Sequence, residues 1–311
     1  MIDFRYHLIS IVAVFLALGV GILMGSFVLG EGLVNQLDAQ LERIDNRNSR
    51  LQELVNQLSD EAELNEGFAR LMREHVLPTQ LQAEEIVLFT FQGTDGALLD
   101  EIRSSVEDAG GQLVTTIEAT DKLALRTPAE RDQLALALSS TASESRELRV
   151  EVATEMARTA AIAAVNGTSA TLRPFSSLLG DLEQAEFIAT SRSDDGSPLV
   201  PPGASFVIAG GAIDDPPFAI ADYTISLASE LSERAATVVT DESSDSTWGI
   251  STMVRVANET QSAVSTVDNG ETVSGSIALV LGLEQAEDGI IGHYGVGSDA
   301  ERIIPEPVPA E

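Results

Sequence analysis

Few side chains in this chain are suited to chemistry. There are three histidines (His7, His75 and His293) and no cysteine, so thiolate nucleophiles, thiolate metal sites and disulfides are all excluded. Five methionines, Met1, Met24, Met72, Met156 and Met253, are scattered with no MxxM-type cluster. A Ser-His-Asp site would have to use His293, which lies in the glycine-rich run Gly292–Gly297 (GHYGVG) beside Tyr294. The alternative for that run is a tight turn holding a hydrogen-bonded imidazole. Asp214 and Asp215 follow Gly210-Gly211 at the end of an apolar stretch, where a carboxylate pair could hold a hard cation. In so acidic a chain, adjacent aspartates also serve simply as solvated surface. His293, Asp214 and Asp215 are the candidate metal ligands. Gly93–Gly96 (GTDG) could offer backbone N–H groups to an anion. GxGxxG, P-loop, GxSxG and HExxH patterns are all absent. The residues therefore point to no enzyme and identify no cofactor.

The elements that would position these residues follow from apolar patterning. Glu85–Phe91 (EIVLFTF) has the character of a buried strand, Ala97–Asp108 of an amphipathic helix through Leu98, Leu99, Ile102 and Val106, and Gln112–Ile117 of a second strand. That βαβ unit predicts a parallel sheet. Thr127-Pro128-Ala129-Glu130 is a capping-box helix start. Further strands are expected at Glu186–Thr190, Ser205–Ala209, Ala236–Thr240 and Ser276–Leu283, with a helix at Ala219–Glu233. The Ala-, Thr- and Ser-rich region 139–185 should hold helices and loops. The fold class is α/β, a three-layer extracytoplasmic domain with a mostly parallel sheet over 80–300. A Pro-rich tail at 301–311, with Pro305, Pro307 and Pro309, is expected to be disordered.

Ahead of that domain the chain turns from grease to charge. No Asp, Glu, Lys or Arg lies between Arg5 and Glu31, and Leu8–Leu29 is almost unbroken apolar sequence. As a helix it spans roughly 33 Å, enough to cross a bilayer. Residues 1–30 form the predicted single-pass membrane anchor, uncleaved because the run exceeds a signal-peptide core and no A-x-A-like site follows. Arg5 before it and Glu31 and Asp38 after it put the N-terminus in the cytoplasm and the bulk outside the cell membrane. Ala13, Ala17, Gly21 and Gly25, each four residues after the last, form a small-residue ridge that lets helices pack closely in lipid.

Residues 31–77 continue as a stalk. Val34, Leu37, Leu41, Ile44, Asn48, Leu51, Val55, Leu58 and Ala62 alternate at spacings of three and four. With Val34 at a, Asn48 also falls at a, which favours a parallel two-stranded coiled coil in fixed register; the alternative is a helix lying on the downstream domain. The expected partner is the chain itself, as a parallel dimer or higher oligomer. Gly67 and Pro78 bracket a last helical piece. The formal charge is −31, from 49 acidic against 18 basic residues, of which Lys122 alone is lysine. Such a field argues against nucleic acid and anionic surfaces as partners. It is also the composition of a salt-adapted proteome, and points mainly to habitat.

The opening MIDFRYHLISIVAVFLALGVGILMGS, the heptad stalk and the closing STVDN…IALVLGL…GHYGVG resemble the actinobacterial MctB-like family of copper transporters. The resemblance covers both ends and the order of parts between them. It implies an envelope protein of copper transport or efflux and copper tolerance, with copper as the metal handled. A related branch, the SteB-like proteins, is similar in layout. It implies instead a non-catalytic membrane-anchored scaffold that binds a membrane-protein or cell-wall partner in cell division.

Overall fold

The computed structural model describes residues 4–166, 174–193, 198–211, 215–242 and 248–306, at 4–5 and 26–39 as backbone alone. The chain divides into two compact units, 1–65 and 66–311.

The first unit is helical, the greater part of helix α1 (Phe4–Val76). Tyr6–Gly25, with mean hydropathy 2.6, is the one stretch among the described residues long and apolar enough to cross a membrane. Its large side chains, Phe15 and Leu23 among them, are exposed, and a surface this apolar needs lipid or protein cover. The small ridge is open: a Cβ built on Gly21 or Gly25 meets nothing within 4 Å. Further along, Leu41, Ile44, Leu51, Val55 and Leu58 are each 51–57% exposed. The side chains of Val34 and Leu37 lie outside the described residues. Gly67, expected to interrupt the helix, does not: α1 runs through it to Val76. An interior glycine disfavours a helix by only about 1 kcal/mol, which its neighbours outweigh here.

The second unit is built on a seven-stranded sheet. In chain order it contains β1 (Glu85–Phe91), α2 (Gly96–Asp108), β2 (Gln112–Ala119), a short 3-10 turn, α3 (Pro128–Leu138), α4 (Ser145–Asn166), α5 (Phe175–Gln184), β3 (Ile188–Arg192) and β4 (Ser205–Gly210). There follow α6 (Ile220–Ser232), β5 (Thr237–Asp241), α7 (Ile250–Val256), β6 (Ser265–Val267), α8 (Val273–Glu287) and β7 (His293–Tyr294). The strand order is β3-β2-β1-β4-β5-β6-β7. Among the described residues, only the β2–β3 pairing is antiparallel.

Both faces of this sheet are covered, which is why β1 is a continuous apolar run rather than an alternating one. Val87, Phe89 and Phe91 pack with Leu148, Met156 and Leu227 of α4 and α6. Ile86 and Leu88 join Leu98, Ile102, Ala278 and Leu281 of α2 and α8 in a second core. The end of α1 seals that second core through Leu77 and Leu81, which follow it and are fully buried. Arg73 pins it to α2, donating from Nε to Asp108 Oδ2 (2.9 Å) and from Nη2 to Ser104 Oγ (2.9 Å).

One expected strand is a helix. Ser276–Leu283 lies inside α8, where every residue from Gly275 to Leu283 is buried. A short apolar run looks alike as buried strand or buried helix. The start signal that decides it is Thr272, whose side chain accepts from Gly275 N (3.0 Å) as an N-cap. The strand of this region is instead β6. Of the Pro-rich tail, residues 301–306 are described and are bonded to the sheet unit, and 307–311 lie outside the described residues. Glu301 N donates to His293 O (2.8 Å), Gln285 Nε2 to Glu306 O (2.6 Å), and Pro305 is buried.

Candidate functional site

In doubly wound sheets, ligands bind outside the carboxyl ends of the strands where the strand order reverses. Here that place is between β1 and β4. It is filled with aromatic rings. Phe91, the last residue of β1, meets Trp248 edge-on at 5.7 Å and Tyr223 at 5.9 Å, and Phe218 meets Tyr223 edge-on at 5.5 Å. All four are nearly inaccessible to solvent. Gly210 closes β4 because nothing larger fits: a Cβ there would stand 2.9 Å from the Trp248 ring.

Carboxyl groups rim the plug. The run 93–96 does turn the chain into α2, but Asp95 itself caps that helix, accepting from Ala97 N (2.8 Å). Asp95 N is held by Gly211 O (3.2 Å). Burial, reinforced by the neighbouring Asp95, pushes Glu242 up to about 7. Burial likewise raises Asp241, at the end of β5, to about 7, although Ser251 donates to it from N (2.9 Å) and Oγ (2.7 Å). An anion at the start of α2 would face this acidic rim. Asp215, one of the two candidate cation ligands, is exposed on the surface. Asp214 lies outside the described residues.

His293 belongs to a different structure, a polar staple at the β6–β7 edge. Its Nε2–H donates to Gln261 O (2.9 Å), so Nδ1 is the acceptor, taking the Thr266 hydroxyl proton at 3.0 Å. Thr266 in turn accepts from Arg255 Nε (2.7 Å). The buried Arg255 also reaches Asp268 Oδ2 (2.7 Å), Asp299 Oδ1 (3.0 Å) and Tyr294 O (2.7 Å). Asp268 Oδ1 accepts from Val296 N (2.7 Å) and Gly297 N (3.1 Å). Gly295, at φ +130, leaves room for this carboxylate, since a Cβ would lie 2.1 Å from Asp268 Oδ1. STVDN and GHYGVG, distant in sequence, are thus two halves of one construction. Burial, with the Arg255 charge close by, holds His293 below the ordinary imidazole range. Both its ring nitrogens are engaged, and His75 Nδ1 is bonded to Leu71 O (2.8 Å). Among the described residues, no group of three or more His, Asp or Glu side chains is placed to hold a metal ion.

A surface hollow of about 370 Å3 lies over the ends of β1 and β2, bordered by Gln92, Thr120, Lys122 and Arg126. The lysine is already engaged, its Nζ donating to Ala185 O (2.6 Å) and standing 5.0 Å from the Phe187 ring centre. Trp248, Arg255 and the Asp95–Glu242 contact could not be read from spacing. The only available signals were that Trp248 is the sole tryptophan and that Asp268 falls within STVDN.

These features define a class: a doubly wound α/β unit with an aromatic plug at its switch point and a polar staple at its far edge, in a chain that opens with a membrane-length apolar helix. The chain belongs to the MctB family, described as "Copper transport outer membrane protein, MctB", whose family model matches residues 1–305. It is similar to the copper transporter MctB of Mycobacterium tuberculosis and of Mycobacterium bovis, at 23% identity over 316 residues, covering 96% of this chain and 98% of the relative. Family and apolar helix together fit a membrane-anchored protein.

Proposed function

We propose that this chain is a membrane-anchored component of copper transport and copper tolerance in the cell envelope, acting as a non-catalytic assembly part. The family match over 1–305 carries this reading. The orientation is N-terminus in the cytoplasm and α/β unit outside, as Arg5 ahead of the apolar helix favours. Copper is cargo here. Cu(I) prefers thiolates and thioethers and Cu(II) prefers imidazole, and this chain has no cysteine, scattered methionines and three separated histidines. One membrane helix with no ionisable side chain between Arg5 and Glu31, Tyr6 and His7 apart, neither encloses a pore nor marks an ion route alone. The copper path is therefore shared between copies or with a membrane partner.

The plugged crevice and the exposed heptad row favour a second reading, a scaffold that positions a division or cell-wall partner. A deletion strain grown in rising copper, with septation scored in the same cultures, separates the two. The copper reading expects sensitivity to copper with normal septa. Chained cells with normal copper tolerance would overturn it in favour of the scaffold.

A further inference from the structure

We infer that residues 40–58 of α1 are the surface through which two copies of this chain pair, side by side and in register. This rests on the reading of the chain as an assembly component and names its partner as a second copy. The a and d side chains described here, Leu41 to Leu58, are more than half exposed, a state that water disfavours. Leu54, at g and 52% exposed, widens the same stripe.

Charge identifies the occupant. Two copies at −31 each repel through most of their surface. Residues 40–58 are the exception: Glu42, Asp45 and Glu53 are balanced by Arg43, Arg47 and Arg50. Immediately beyond, Asp60, Glu61, Glu63 and Glu66 restore the acidic excess. The neutral window holds the described apolar a and d side chains from Leu41 to Leu58, while exposed apolar side chains also continue beyond it at Leu64, Phe68 and Leu71. A strongly basic partner would gain nothing from this window, whereas a second copy escapes its own field there.

Size agrees. If Leu41, Ile44, Leu51, Leu54, Val55 and Leu58 each give up on the order of 80 Å2, two copies bury roughly 1,000 Å2, about the least a specific interface needs. Asn48 fixes the arrangement. Its amide sits in an otherwise apolar seam and finds a polar partner there in the Asn48 of the other copy only when the helices are parallel and unshifted.

The natural absence of cysteine makes the test direct. Leu41→Cys, Leu58→Cys and Glu53→Cys, the last on the outer face, are each placed alone in the full chain in detergent and oxidised with diamide. The inference expects a disulfide-linked pair from Leu41→Cys and from Leu58→Cys separately, at least tenfold above Glu53→Cys. It is overturned by bands no stronger than that control. It is equally overturned if linkage appears only when the Leu41→Cys and Leu58→Cys chains are mixed, which marks an antiparallel pair. Light scattering of the unsubstituted chain, free of any effect of substitution, must give two copies; a mass of one or three copies contradicts the inference. A solitary chain that still restores copper tolerance to a deletion strain removes the pairing and leaves the envelope role standing. A paired chain whose deletion leaves copper tolerance unchanged does the reverse.

Discussion

Without the guanidinium of Arg255, the Asp268 carboxylate would stay buried with only the loop N–H groups of Val296 and Gly297 as donors. Stranding one partner of a buried ion pair typically costs about 3–5 kcal/mol. Arg255→Met should therefore lower stability by about that much in urea unfolding; a loss under about 1 kcal/mol would mean the staple is peripheral. Protons act at other sites. Burial and the nearby Glu287 raise Glu84 to about 7, and burial raises Asp241 and Glu242 to about 7. In each case the native state holds its proton more tightly than the unfolded chain, so stability falls as pH rises from the model-peptide range near 4 toward 7. His293 works in the opposite sense: its folded value lies below 6.5, so stability falls as pH drops from 6.5 through that value. Three carboxyl groups outweigh one imidazole, and the net charge adds to them. The melting temperature of the full chain should be higher at pH 6 than at pH 8; the reverse order would refute the buried-carboxyl assignment. Trp248, the only tryptophan, reports on the crevice. Its emission should not move when millimolar ADP or NAD is added, and a saturable shift would show that the plug opens.

Among the elements, α8 most repays the distinction between helix and strand. A Cβ on Gly275 would stand 1.8 Å from Asn269 O, a backbone atom unable to step aside. Gly275→Ala should destabilise by about 3 kcal/mol, at the upper end for overpacking, with circular dichroism and melting as the readout; unchanged melting would mean that the start of α8 is free to shift. Much of the sheet was legible in the sequence. Glu85–Phe91, the helix after it and Gln112–Ile117 are visible because β-branched and aromatic runs alternate with an amphipathic pattern closed by Gly110-Gly111. Ser276–Leu283 looks like a strand in sequence because burial on all sides of α8 erases the helical periodicity. β6 and β7, three and two residues long, are too short to carry a pattern and exist only through their neighbours. The aromatic plug and the Arg255 staple join residues from separate elements, and no local spacing announces such meetings. In the helical unit, replacing Asn48 by valine removes the polar amide from the proposed seam. The expected outcome is a tighter association with mixed copy numbers in light scattering, and an unaltered distribution would count against its role in register.

For the whole molecule, the sequence conveyed more of the architecture than of the chemistry. A membrane-length apolar run, a heptad row and a βαβ pattern are each local statements, and physics ties each to a structure. Copper is not written in the side chains: nothing in their type or spacing asks for it, and the assignment comes from kinship over the full length. The account therefore depends on the chain working as an anchored whole, with the apolar helix holding the α/β unit to the envelope. The most direct test is copper retained per cell, by elemental mass spectrometry, in a deletion strain carrying either the full chain or one lacking residues 1–30. The full chain should return cellular copper to the parental level, while the shortened chain, expressed to the same amount, should leave it where the deletion put it. Equal rescue by both would contradict the account, and so would a deletion that leaves cellular copper unchanged.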